Sequence, residues 1–159
     1  MRTSRAHEAT FEATLAVRDA CLCLHAQRAG RTLARRFDET FQPLALTSGQ
    51  FWILNALNRP EPAGMRHVAS LLSMDRTTLT AALKPLVRRG LVEAAAGPRA
   101  DRRSRAFALT AAGREILAEA IGLWRQAHAD IERSLPGSDT DRLRAGLRAL
   151  SDLSAGTTG

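Results

Sequence analysis

Apolar residues along this chain fall into long stripes at both ends and shorter, denser stripes in the middle. Over residues 10–37, Phe11, Leu15, Leu22, Ala26, Ala29, Leu33 and Phe37 recur at spacings of three, four and seven. That spacing predicts one long helix with a single apolar face, and Arg18, Arg28, Arg31, Arg35 and Arg36 lie mostly off it. Pro43 breaks the pattern. Thr47 is placed to cap a second helix through about residue 57, with Phe51, Leu54 and Leu57 inward. Residues 59–64 (RPEPAG) read as a loop. Residues 65–72 read as a short helix with Met65, Val68, Ala69 and Leu72 inward, and Ser73 and Met74 as a tight turn. Asp75 can cap the next helix, whose inward face is Leu79, Leu83 and Leu86. Pro85 cannot donate to Ala81 and is expected to kink or shorten that helix.

The stretch LVEAAAGPRADRRSRAFALTAAG (residues 91–113) changes period. Residues 91–95 and 105–109 read as two strands joined by a turn at Gly97 and Pro98, and Thr110 as the cap of a following helix. No other strands are expected. Turn plus helix followed by a thin hairpin is a helix-turn-helix with a wing. Beyond it, Leu117, Ile121, Trp124, His128, Ile131 and Leu135 alternate at four and three, a seam suited to packing on another helix. Pro136 and Gly137 stop that helix. Residues 139–153 supply a last one with Leu143, Leu147 and Leu150, and the final residues are expected to fray. The fold class is mainly α: a winged helix-turn-helix lobe (43–109) with a small β-hairpin wing, flanked by dimerisation helices (1–42 and 110–159). The flanking seams lack a partner in a three-helix winged lobe; they can pair with each other and with a second copy, and dimerisation is the economical solution.

The 159 residues carry a net charge of +7, and 45% are hydrophobic. That content supports a packed core and excludes a disordered chain. The basic balance favours a polyanionic partner. Lys84 is the only lysine, however, and codon bias toward Arg and Ala would also produce the total. The clustering of arginines therefore says more than their number. No run approaches the ~20 apolar residues that cross a bilayer, and the first ten residues lack the apolar stretch of a signal peptide. A cytoplasmic location is expected, without membrane partner, and its cysteines are expected as thiols.

Two neighbouring features carry the chemistry. With the leucines inward, the third central helix shows Arg76, Thr77, Thr78, Thr80, Lys84 and Arg88 outward. Thr hydroxyls and methyl groups can meet base edges, and Arg or Lys can reach guanine or phosphate. The wing tip carries Arg99, Arg102, Arg103 and Arg105 against the single acid Asp101. Arg103 can enter a narrow minor groove, and Asp101 can hold a neighbouring Arg. Either feature alone also fits a solvated surface; side by side they fit double-stranded DNA.

The segments LTSGQFWILNAL, VASLLSMDRTTLTAALKPLVRRGLVE and DRRSRAFALTAAG together resemble the MarR family of winged helix-turn-helix regulators. The matching signature is Asp101 and Arg103 at the wing, then Leu109, Thr110 and Gly113. The turn and recognition helix from Ser73 to Leu83, and Arg89 to Val92 after it, match as well. The resemblance implies a homodimer on a pseudo-palindromic operator, usually repressing. It also implies release by a small, often aromatic and anionic effector between the dimerisation helices and the DNA-binding lobe. Candidates for that site are Phe51, Trp52 and Met65 for apolar contact and His25, Arg28 and Arg31 for the anion. A Trp and a Met at helical spacing are more often core than ligand contacts.

One branch of the family senses organic hydroperoxides through a cysteine early in its first helix. Cys23 falls at the corresponding place, judged by its distance to Arg31 and Phe37. That branch surrounds its thiolate with Tyr, and this chain has none; a small buried hydrophobe is the simpler reading of Cys23. On one continuous helix Cys21 and Cys23 point to nearly opposite sides, which prevents a disulfide between them. Cys21 and His25 share a face, but two ligands fall short of a metal site. No metal, cofactor or catalytic residue is expected: the chain has no phosphate loop, nucleophile elbow, zinc-protease motif or paired acids. Alternatives to a ligand-responsive regulator are a thiol-based redox regulator using Cys23 and an architectural DNA-binding protein without ligand.

Overall fold

The computed structural model of the protein describes residues 9–96, 105–135, 137 and 139–153. Helix α1 (Phe11–Ala20) and helix α2 (Leu22–Phe41) lead through a 3-10 turn at Gln42–Leu44 into α3 (Ser48–Leu57). A two-residue strand β1 (Ala63–Gly64), α4 (Met65–Leu71) and α5 (Arg76–Arg88) follow. Strands β2 (Val92–Ala95) and β3 (Ala106–Leu109) form the wing's root, and α6 (Ala111–Arg133) and α7 (Thr140–Asp152) complete the chain. The sheet is antiparallel in the order β1-β3-β2, with Ala63 opposite Phe107 and Val92 opposite Leu109.

The core sits where α2, α3, α5 and α6 meet the sheet. Phe41, Phe51, Ile53, Leu54, Val68, Leu79, Leu86, Val92 and Leu117 are its most deeply buried large side chains. Phe41 stacks on Phe51 with ring centres 4.5 Å apart. The inward residues expected of α5, Leu79, Leu83 and Leu86, are all buried. Thr47 caps α3 and forms a full capping box with Gln50, satisfying two otherwise orphaned donors reciprocally. From α2, the carboxylate of Asp38 accepts the Ser48 N–H at 2.6 Å and adds a third such bond at the same helix start.

Four expectations need correction. The single N-terminal helix is two helices. At Cys21 the backbone turns extended (ψ 105°); its N–H still donates to Val17, closing α1, while its sulfur accepts the Leu24 N–H and opens α2. The apolar stripe concealed this break because Leu15 and Leu22 keep their spacing of seven across it. Helix α1 has no buried residue among the described ones, so no packed core face enforces a straight continuation. Second, β1 adds a strand inside the expected RPEPAG loop; two residues are too few to show a period, and the cue is the burial of Ala63 against β3. Third, α5 runs a turn beyond Pro85, whose carbonyl accepts the Arg89 N–H at 3.0 Å. The bond Pro85 forgoes belongs to Ala81, which is exposed and can be served by water. Fourth, α6 stops at Arg133, where the Ser134 hydroxyl donates to the Ile131 carbonyl, so Leu135 lies past the helix. Pro136 is outside the described residues.

One joint orients the lobe. Gly90, with φ of +68°, turns the chain out of α5. The Leu91 N–H donates back to Leu86, and its carbonyl accepts the Thr110 N–H at 3.2 Å. The Thr110 hydroxyl donates to the Gly90 carbonyl at 2.6 Å and accepts the Gly113 N–H at 3.0 Å. Gly113 thereby lies hard against Leu91, and a Cβ on it would sit 2.0 Å from the Leu91 carbonyl oxygen. Next to the joint, Arg89 donates to the Ala45 and Leu44 carbonyls at 2.6 and 2.9 Å, tying the end of α5 to the turn before α3.

The two ends of the chain are different. Neither α1 nor α7 contains a buried residue. Phe11, Val17, Leu22, Leu143, Leu147 and Leu153 are all exposed. Helix α7 is tied to α6 by Arg144, which bonds Glu132 and Asp141 at 2.7 Å each. The arginine holds the Glu132 carboxyl below its ordinary range.

Gly113→Ala tests the joint. The added methyl meets backbone that cannot swing aside, so the variant should lose about 3 kcal/mol of stability, the upper part of the overpacking range. That corresponds to a midpoint lower by roughly 6–12 °C in a thermal melt. Gly49→Ala is the control: its Cβ would meet nothing nearer than the Thr47 hydroxyl at 4.0 Å. It should be neutral or raise the midpoint slightly, as alanine for glycine does in a helix.

Candidate nucleic-acid interface

Helix α5 is set up at its first residue. The Asp75 carboxylate accepts the Thr78 N–H at 2.8 Å and the Thr78 hydroxyl at 2.5 Å. The hydroxyl first, and then the amide, hold the Asp75 carboxyl below its ordinary range. A depressed carboxyl contributes stability above its unfolded value and loses it as pH falls through the folded one. The cap is therefore complete at neutral pH and fails only below about pH 4. Ser73, at φ of +49°, makes the turn that aims α5 away from α4.

With its leucines buried, α5 shows Arg76, Thr77, Thr78, Thr80, Lys84 and Arg88 to solvent. Their chemistry differs in detail. Thr78 is engaged by Asp75, and the Thr80 hydroxyl donates to the Arg76 carbonyl one turn back at 2.7 Å. The side chains of Thr77, Arg76, Lys84 and Arg88 have no hydrogen-bond or ion-pair partner among the described residues. Arg105, at the entry to β3, also has an unpaired guanidinium there, while its carbonyl accepts the Met65 N–H at 3.3 Å.

These cations rim a groove of about 510 Å³ between α5 and β3, floored by Met65, Leu83, Val87 and Phe107. The wing-tip residues Arg99, Asp101, Arg102 and Arg103 lie outside the described residues. The described root of the wing brings Arg105 to the same groove as Arg76, Thr80, Lys84 and Arg88. Four cations with no acidic neighbour in the lining repel one another in water, and a polyanion laid across them relieves that repulsion.

The six candidate effector residues do not share one cavity among the described residues. Phe51 is core, stacked on Phe41 and edge-on to Trp52. Trp52 is 41% exposed. Met65 belongs to the α5 groove. His25, Arg28 and Arg31 are exposed along α2; His25 Nε2 bonds the Asp19 carbonyl at 3.0 Å, and Arg31 bonds Gln27. A second cavity, of about 400 Å³, lies between α2 and α6, lined by Arg36, Glu39, Thr40, Leu123, Gln126, Ala127 and Asp130. Sequence reasoning missed it, since helix crossing and not any motif creates it.

The cysteines also differ from expectation. Cys23 is exposed, not buried, and its sulfur accepts from Gln27 Nε2 at 3.3 Å; Cys21 is partly buried at the helix break. The argument against a disulfide assumed one continuous helix, which Cys21 interrupts. Among the described residues no three His, Cys, Asp or Glu gather as a metal site, and no helix is long and apolar enough to cross a membrane.

Comparison with known proteins bears on this geometry. Residues 45–104 match the sequence model described as MarR family. No curated protein sequence matches the chain. Among solved structures, the transcriptional regulator MosR of M. tuberculosis, in complex with DNA, is similar at 32% identity. The match covers 87% of this chain and 99% of that one, with a TM-score of 0.75. The transcriptional repressor CouR bound to a 23-mer DNA duplex is similar at 30% identity over 87% of this chain and 95% of that one, TM-score 0.70. A structure of CouR from Rhodococcus jostii bound to p-coumaroyl-CoA shares the fold at 22% identity over 84% of this chain and 93% of that one, TM-score 0.73. With a family match over residues 45–104, and likeness over 87% of the chain to regulators held on DNA, the chain belongs to the MarR family of DNA-binding transcriptional regulators.

Proposed function

We propose that the protein is a homodimeric repressor that binds a pseudo-palindromic operator and is released by a small anionic effector. The observation that carries this reading is the uncompensated cationic rim on the outward face of α5, continuous with the wing's root. Residues 43–109 form the DNA-reading lobe, in which Arg76, Thr77, Thr78, Thr80 and Lys84 address the major groove. Arg99, Arg102, Arg103 and Arg105 address the backbone and minor groove, with Asp101 steadying one of them. Residues 1–42 and 110–159 carry the dimer, because the exposed apolar residues of α1, α2 and α7 need a second copy to cover them. Both MosR and CouR have structures on DNA, and CouR has one with an aromatic anion.

An effector acts only through a difference in affinity between two dimer geometries. Recognition helices must sit about one helical turn of DNA, roughly 34 Å, apart to enter successive grooves. A ligand held where the dimerisation helices meet the lobe favours a geometry that misses this spacing. Nothing in this mechanism requires a catalytic residue or cofactor.

A second reading has one observation in its favour. Cys23 is exposed and sits in the first turn of α2, two residues after the break at Cys21. An oxidised sulfur there would alter the helix start on which the dimer rests. Loss of operator binding in peroxide alone, blocked by Cys23→Ser and with no effector active, selects this reading over ligand control.

Two experiments test the main reading. Lys84→Ala and Arg103→Ala should each weaken binding to operator and random duplex alike. In a titration over salt, log K against log salt should become shallower by up to about 2 per dimer, at ~0.9 for each lost phosphate contact. Unchanged affinity and slope for both variants would remove the groove and wing from the interface. Leu147→Glu places a charge in the apolar face of α7 and should weaken dimerisation by about 100-fold or more. Sedimentation should then show monomers where the parent chain is dimeric. A fully dimeric variant would place the subunit interface elsewhere.

A further inference from the structure

We infer that Thr80 reads its base as a hydrogen-bond acceptor, so that the operator base facing it presents an exocyclic amino group, of adenine or cytosine. The inference rests on the proposed role of α5 in the major groove and names the chemistry that one of its residues selects.

A hydroxyl has one proton and two lone pairs. A backbone carbonyl has no proton to give, so the 2.7 Å contact between Thr80 Oγ1 and the Arg76 carbonyl requires Thr80 to donate. What remains to face outward is oxygen lone pairs and a methyl group. In the major groove, adenine N6 and cytosine N4 are donors, adenine N6 beside the acceptor N7; guanine offers only the acceptors N7 and O6, and thymine the acceptor O4 beside its methyl group. An amino group adds a hydrogen bond to Thr80 and leaves the helix intact. An acceptor on the base either faces lone pairs or forces the hydroxyl to give up its bond to Arg76, for no net gain.

The neighbouring threonines sharpen the distinction. Thr78 has also spent its proton, on a carboxylate that can only accept. Thr77 has no side-chain partner among the described residues and keeps both capabilities. Of the three, Thr80 alone combines exposure at the groove with a fixed polarity, and it lies among the cations that would hold the DNA against it.

Selection of binding sites from a randomised duplex library tests this with the full-length protein. The parent chain should enrich a site with a defined base pair at one position of each half-site that depends on Thr80. Thr80→Val keeps the shape and removes the hydroxyl; it should flatten that position by about tenfold while other positions and non-specific affinity stay. Thr80→Ser restores the hydroxyl and should restore the preference. At that pair, replacing adenine with purine, or cytosine with its 4-deamino analogue, removes the amino group without adding bulk and should weaken the parent about tenfold while leaving Thr80→Val unmoved. An unaltered profile for Thr80→Val, or a parent chain whose affinity survives removal of that amino group, overturns the inference and leaves the proposed function standing. A parent chain that enriches no sequence at all overturns both.

Discussion

The lobe depends on one close approach: the first turn of α6 against the Leu91 carbonyl, possible only because residue 113 has no side chain. Backbone at this distance leaves no tolerance for rotation. The Thr110 hydroxyl, bonded on one side to Gly90 and on the other to Gly113, closes the arrangement with a single oxygen. Three parts of the molecule converge there: the end of α5, the root of the wing and the start of the long helix α6. A rotation of α6 is therefore transmitted to α5 and the wing together. This is the mechanical property that a ligand acting at a distance from DNA requires, because signal passes through packed elements with few soft joints.

At the proposed DNA-facing surface, hydrogen-bond accounting adds discrimination to the attraction that charge supplies. The cations of the groove supply attraction that any duplex satisfies. Discrimination falls to neutral side chains whose donors and acceptors are already partly assigned by the helix. Asp75 consumes the proton of Thr78, and the turn geometry of α5 consumes that of Thr80. The conformation of the protein thus determines which base groups its hydroxyls can serve.

Much of this was legible before the fold was known. The inward leucines of α5, the caps at Thr47, Asp75 and Thr110, and the placement of β2 and β3 follow from periodicity and capping chemistry, and the structure agrees. The failures share a physical cause: each depends on a contact that spacing does not encode. The stripe across Cys21 kept its period while the backbone did not. The strand at Ala63 exists because β3 passes beside it. Pro85 was tolerated because the carbonyl it orphans is on an exposed residue. The candidate DNA residues on α5 were readable as a face, but the protons of Thr78 and Thr80 were not, since their partners are set by rotamer and turn. The effector candidates were the least readable, because Phe51 and Trp52 share a helix yet one is core and the other half open.

The break at Cys21 has a consequence for the state of the N-terminus. Helix α1 is ten residues long, and none of them is buried. Isolated helices of this length are marginal in water, because nucleation costs more than so few hydrogen bonds return. A continuous helix would have inherited its nucleus from α2; the extended residue at Cys21 denies α1 that inheritance. Its order is then coupled to whatever covers Phe11 and Val17; in the proposed dimer, helix formation at the N-terminus and association of two chains become one equilibrium, and helical content depends on concentration.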